Sequence, residues 1–188
     1  ATRRAMLEQA GVPFSTISTD FDEESAKAAL IAEGFKPADL AARLAELKAG
    51  SVEASTDTFV LGADSVLESA DGAILSKARG PEHAAEQLRK LAGQPHWIHS
   101  AAALTRAGET SWQGSESVTL VMRDFSDAFL ADYLEREWQD VRWNVGAYRI
   151  EGMGAQLFDR VEGSHFAILG LPLLPLLAEL RRHGIVTS

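Results

Sequence analysis

The sequence predicts an α/β fold, a mixed central β-sheet flanked by helices, with α+β as the alternative. Three observations lead there. Strand-like runs alternate with helical patterns along the whole chain. Two long strand candidates, Trp97 to Thr105 and Ser111 to Arg123, are separated by Ala107-Gly108 and read as a hairpin in the second half. At 188 residues the chain suits one domain, or two lobes sharing a sheet. A division near residue 95 is compatible with this, although no Pro/Ser-rich linker marks it.

The elements follow in order. Thr2 is placed to cap a helix from Arg3 to Gln9, stopped by Gly11 and Pro13. Phe14 to Ser18 is a short strand candidate, and Asp20 to Glu24 forms an acidic turn. Ser25 is the expected cap of a helix to Ile31. After Pro37, apolar residues at 40, 41, 44, 47 and 49 keep helical spacing to about Ala54. Thr58 to Leu67 is β-branched, aromatic and apolar, the composition of a buried strand. Asp71-Gly72 signals a hairpin turn into Ile74-Leu75. Pro81 opens a helix that Gly93 stops, and Ser126 caps another to Glu137. Ala147 to Phe158 is glycine-rich and mixed, and Pro172 to Arg182 reads as a terminal helix.

Composition narrows the function. A hydrophobic fraction of 46% with 24% charged residues is that of an ordinary globular protein. The net charge of −9 argues against binding a nucleic acid polymer, which needs a basic field, but leaves room for a local anion pocket. Zero cysteines exclude disulfides, thiolate catalysis and Cys-ligated zinc, and are compatible with a cytoplasmic location. No apolar run approaches the roughly 20 residues that span a bilayer; the longest, Phe166 to Leu177, holds Gly170, Pro172 and Pro175. No signal peptide is visible. Because the chain starts at Ala1 without Met, further residues are expected to precede it.

Chemistry concentrates at a few polar residues. In "FVLGADSVL" the carboxylate of Asp64 stands among apolar neighbours, where burial without a cation or donors is costly. Either Asp64 caps a turn through Gly62 or the strand delivers a carboxylate to a site. Arg3 and Arg4 lie in the first turn of a helix, where free N–H groups favour an anion. Lys48 comes late in a helix, Lys77 follows a short strand and Arg123 ends one; each also reads as a solvated surface charge. Asp22, Glu23, Asp64 and Glu151 are the candidates for Mg²⁺ binding or general-base work. Asp22 and Glu23 equally fit an acidic surface turn, and Glu151 a turn before Gly152. His96, His99 and His165 lack metal-ligand spacing and read as surface or strand residues. Ser100 and Ser164 have neither an adjacent base nor a GxSxG context. Gly146, Gly152 and Gly154 form no GxGxxG run, and the four Trp residues read as packing.

Taken in order, the segments resemble the Maf family of nucleoside triphosphate pyrophosphatases. "TRRAMLEQAGVPF" is similar to its basic opening motif, "DFDEE" to its acidic turn and "LAELKA" to its Leu-Ala-x-x-Lys-Ala helix. "LGADSV" resembles the strand that carries the active-site Asp, and "ILSKA" stands where Gly-Lys-Pro is usual. "RKLAGQPHWIHSAAAL", "VMRDFSD", "VGAYRIEGMGAQLFDRVEG" and "ILGLPLLPLL" complete the match over nearly the whole chain. The resemblance implies one Maf-like domain over residues 1–188, with two lobes and a cleft as in inosine triphosphatases. It implies hydrolysis of a nucleoside triphosphate to the monophosphate and pyrophosphate, with Mg²⁺ or Mn²⁺, by a homodimer. Carried over by position, Arg3, Arg4, Lys48 and Lys77 hold the triphosphate, and Asp64 is the base or a metal ligand with Glu23 as second carboxylate.

Glu151 resembles the branch acting on 7-methyl-GTP, where the dTTP and UTP branch has Gln. A carboxylate there suits the N1–H and amino group of a guanine edge and the charge of a methylated ring. Ser65 and Thr2 belong to the same specificity set and depart from that branch, which has Gln and often Trp at those positions; Ser65 is nearer the Thr of the dTTP branch. Ser76 and Ala78 replace the Gly and Pro around Lys77. The family's first strand and opening Ser would precede Ala1. The alternatives are a dTTP/UTP enzyme, an inosine or xanthosine triphosphate pyrophosphatase, and a weakly active nucleotide-binding protein of cell-division control.

Overall fold

The computed structural model describes residues 2–187. The chain opens with α1 (Thr2–Gln9), α2 (Glu23–Ala32) and α3 (Pro37–Gly50), then enters β1 (Phe59–Ser69) and the short β2 (Ile74–Leu75). Helix α4 (Pro81–Leu91) precedes the hairpin of β3 (Pro95–Arg106) and β4 (Glu109–Met122). Helix α5 (Asp127–Val141), a 3-10 helix at Met153–Leu157, β5 (Phe158–Glu162), α6 (His165–Ile168) and α7 (Leu173–Arg182) complete it. The strands form one five-stranded sheet in the order β2-β1-β3-β4-β5, with β1–β2 and β4–β5 antiparallel. The helix-flanked α/β class is as expected. The expected mixed sheet is antiparallel, because tight turns rather than crossover helices join β1 to β2 and β3 to β4.

Ala107 and Gly108 both take positive φ, 52° and 81°, which is what a two-residue hairpin loop demands. Three local expectations fail for identifiable reasons. Phe14 to Ser18 is not a strand: it is exposed, and among the described residues it has no ladder partner. Asp22, not Ser25, caps α2; its carboxylate accepts from the Ser25 backbone N–H at 3.0 Å and the Ser25 hydroxyl at 2.7 Å. Helix α5 runs one turn beyond Glu137, and Ser126 does cap it, accepting from Phe129 N–H.

The chain forms two compact units, and the boundary between them falls inside β1, β3 and β4 rather than near residue 95 alone. The first holds the residues up to Ser65, His99–Ser117 and those from Ser164 onward. Its core joins Met6 and Leu7 of α1 to Ala102 and Leu104 of β3 and to Leu173, Leu176 and Leu180 of α7. Helix α2 packs on α3. The second unit, Val66–Ile98 and Val118–Gly163, packs α4 against α5 and α5 against the 3-10 helix. Its buried residues include Leu67, Leu88, Leu91, Leu120, Leu130 and Tyr133. No helix of the described residues is long and apolar enough to cross a membrane.

Candidate active site

Strand alternation in β1 distributes the first unit's polar residues. Phe59, Leu61 and Ala63 pack against the α1/α7 core, so Gly62 and Asp64 turn the other way, toward α3. Gly62 is required there. A Cβ at this position would run into the Ala45 carbonyl oxygen and stand 2.6 Å from the Ala49 backbone nitrogen. With no side chain between them, helix backbone rests directly on strand. The Thr105 hydroxyl donates to the Ala49 carbonyl at 3.3 Å and Gln113 to the Ala42 carbonyl at 2.9 Å, tying α3 to the β3–β4 hairpin.

This contact carries Lys48 to Asp64. The Lys48 ammonium lies 2.5 Å from Asp64 Oδ1 and 2.7 Å from Glu23 Oε2, so one cation joins two carboxylates from α2 and β1. Asp64 is only 5% exposed. Burial pushes its pKa up; Lys48 and, more weakly, Arg3 pull it back, while Glu23 adds to the rise. The sequence question about Asp64 is thereby answered structurally: it is a mid-strand carboxylate facing a helix, not a turn cap.

Next along the strand, Ser65 turns back toward α1. Its hydroxyl lies 3.0 Å from Arg3 Nη2 and 2.8 Å from the hydroxyl of Ser100 on β3. Arg3 Nε donates to the Gly170 carbonyl at 2.7 Å. Burial lowers the Arg3 pKa, and the charges of Asp64 and Glu23 oppose that fall. A guanidinium stays charged under such conditions. Arg4 goes elsewhere: it is exposed and pairs with Glu8 one turn on at 2.7 Å. Thr2 is the first helical residue described, beside Arg3 in α1.

Lys77 and Glu151 belong to the second unit, and both are exposed. The Lys77 backbone bridges Val145, next to Gly146 at the head of the segment that ends in Glu151. That segment is fastened from several sides. Tyr133 donates to the Ala147 carbonyl at 3.1 Å, Asn144 to the Tyr148 carbonyl at 3.0 Å, and Arg149 pairs with Glu137 and Asp140. The Tyr148 hydroxyl meets Nε2 of the wholly buried His96 at 2.8 Å.

The sequence reading weighed Ser100 only as a nucleophile, Gly62 only as a turn residue and Gly170 only as a break in an apolar run, and gave none of them a role in the site. Ser100 carried the same signal as Asp64, a polar residue within an apolar strand run, "HSAAAL". Gly62 and Gly170 are visible only when the residues facing them are known. Among the described residues no group of three or more His, Cys, Asp or Glu is arranged to hold a metal. Two carboxylates in the first unit's site, Asp64 and Glu23, share Lys48.

An α/β fold that gathers two carboxylates and two cations around the middle of one strand defines a class of protein suited to an anion accompanied by its own cation. More particularly, the chain belongs to the Maf-like protein family, whose profile matches residues 1–183. It is 46% identical over 184 residues to the nucleoside triphosphate pyrophosphatase of Sphingopyxis alaskensis, covering 97% of this chain and 93% of that one. The Caulobacter vibrioides protein of the same name is 43% identical over 187 residues, 100% of this chain and 94% of its own. The 7-methyl-GTP pyrophosphatase of Brucella abortus is 43% identical over 185 residues, covering 98% and 92%. The resemblance read from the motifs is borne out.

Proposed function

We propose that this protein is a nucleoside triphosphate pyrophosphatase that cleaves the α–β phosphoanhydride bond, with 7-methyl-GTP as its preferred substrate. The observation that carries the reading is buried Asp64, held by Lys48 beside Glu23 in a chain of the Maf-like family.

Asp64 orients a water toward the α-phosphorus and takes its proton. Burial suits it to this, because a raised pKa makes a carboxylate a stronger base. The new bond joins the water oxygen to the α-phosphorus, the α–β bond breaks, and pyrophosphate leaves. Arg3 and Lys48, with Lys77, neutralise the charge on the departing group. Asp64 and Glu23 are the residues that would hold Mg²⁺ or Mn²⁺. Two carboxylates fit such an ion, which completes its shell with waters and substrate phosphates rather than an all-protein cage. When bound, the ion adds to the neutralisation of phosphate charge.

Selectivity is assigned to Glu151, with Thr2 and Ser65 contributing beside Arg3. An exposed carboxylate fits a guanine edge and a cationic methylated ring. The same reading makes the protein a single Maf-like domain of two lobes, cytoplasmic and homodimeric. The name of the Brucella relative and the Glu at position 151 support the substrate. The test is pyrophosphate release from a panel of triphosphates with Mg²⁺ or Mn²⁺. Release is expected from 7-methyl-GTP above UTP, dTTP and ITP, abolished by Asp64→Asn and by chelation. Preference for ITP or XTP would replace the substrate assignment, and tight binding without turnover would remove the enzymatic one.

A further inference from the structure

We infer that Ser100 is a positioning residue that fixes the guanidinium of Arg3 through Ser65. The inference rests on the reading that Arg3 holds the triphosphate, and the hydrogen-bond directions carry it.

Ser100 is wholly buried and gives its one hydroxyl proton to the Ala167 carbonyl at 2.7 Å. In its 2.8 Å contact with Ser65 it therefore accepts, and Ser65 donates. With that proton committed, Ser65 turns lone pairs toward Arg3 Nη2 at 3.0 Å, and an arginine only donates. The bonds run one way: Arg3 to Ser65, Ser65 to Ser100, Ser100 to the Ala167 carbonyl. Such an ordered chain fixes the acceptor that Arg3 meets, since Ser65 has no second proton to turn against the cation.

The other end of the guanidinium is fixed separately. Nε donates to the Gly170 carbonyl at 2.7 Å, and a Cβ at position 170 would stand 3.0 Å from that nitrogen. Gly170 also holds φ at +95°, a backbone that other residues rarely adopt. Both terminal acceptors, Ala167 and Gly170, come from the short segment that opens with α6. Arg3 is thereby held at Nε and Nη2. A long side chain ordered before the substrate arrives loses less freedom on binding.

The test measures steady-state pyrophosphate release from 7-methyl-GTP and inhibition by inorganic triphosphate, for Ser100→Ala, Ser100→Thr and Ser65→Ala. Thermal unfolding is followed in parallel. Ser100→Ala and Ser65→Ala are each expected to raise KM and the triphosphate inhibition constant about five- to tenfold, the share of one ordinary hydrogen bond. They should leave kcat within about twofold, and Ser100→Thr should restore all three values. In an Arg3→Gln background, Ser100→Ala should add nothing further. A fall in kcat at unchanged KM, or a Ser100→Ala effect that persists without Arg3, overturns the inference. If Arg3→Gln itself leaves KM and triphosphate inhibition unchanged, the triphosphate role of Arg3 fails. If Arg3→Gln raises both while Ser100→Ala and Ser65→Ala raise neither, only the role of Ser100 fails.

Discussion

Gly62 and Ala49 touch backbone to backbone: a Cβ on the glycine would stand 2.6 Å from the alanine nitrogen. One residue before Ala49 is Lys48, and two residues after Gly62 is Asp64. The closeness of helix and strand is what brings the 2.5 Å ion pair into being.

Gly62→Ala should therefore act at a distance from the chemistry. The added methyl forces α3 away from β1, with a loss of about 1–3 kcal/mol of stability from overpacking. Because the shift separates Lys48 from Asp64, pyrophosphate release should fall more than the folded fraction does. Urea unfolding alongside kinetics checks this; wild-type activity in a destabilised variant would contradict it.

Asp64→Asn should separate stability from activity. Burial raises the pKa of Asp64, so carrying its charge into the folded interior costs folding free energy, and an amide removes that cost. The variant is expected to melt no lower than the wild type while losing about 10²–10⁴-fold in kcat, the range for a general base. Calorimetry and kinetics on one preparation decide it. A clear drop in Tm would mean that the carboxylate serves the fold.

Acid should weaken the second unit through His96. Burial lowers its pKa from 6.5 to about 4, so between those values the unfolded chain binds a proton that the folded chain does not. Stability therefore rises with pH across this window and is lost as pH falls from 6.5 toward 4, by roughly 3 kcal/mol in all. Denaturant titrations at several pH values measure the slope. His96→Gln should flatten it, and an unchanged slope would contradict the assignment.

Glu151→Gln should shift the ratio of kcat/KM away from 7-methyl-GTP toward UTP and dTTP by about tenfold or more, as expected for a charged hydrogen bond lost. Competition assays with mixed nucleotides read the ratio directly. An unchanged preference would remove Glu151 from base recognition.

What could be read from sequence alone divides along physical lines. Helices α3 and α4 and the β3–β4 hairpin announce themselves through apolar periodicity, Pro at the first turn and a two-residue loop. Such signals are local. Phe14 to Ser18 has the same local composition as a strand and is not one, since a strand exists only where a partner offers its backbone. The cap of α2 was misplaced by three residues because Asp22 and Ser25 are both good capping residues and only geometry chooses between them. Strand β5 was missed because it starts at Phe158, the last residue of the glycine-rich mixed stretch, in a segment to which no element was assigned. In the site, the order of the motifs singled out Asp64, Lys48, Glu23 and Arg3, which the fold draws into one charged neighbourhood. It did not indicate that Arg4 pairs with Glu8, nor that Ser100 stands behind Ser65. The first is a local i,i+4 pair that the order of the motifs does not register, and the second joins residues 35 apart in the chain.

The central claim is that water attacks the α-phosphorus with Asp64 as base. Hydrolysis of 7-methyl-GTP in ¹⁸O-labelled water, with mass spectrometry of both products, tests it most directly. The account predicts that the label appears in the nucleoside monophosphate and not in pyrophosphate, and that Asp64→Asn slows formation of both products together by about 10²-fold or more. Label in the pyrophosphate, or undiminished turnover by Asp64→Asn, would contradict it.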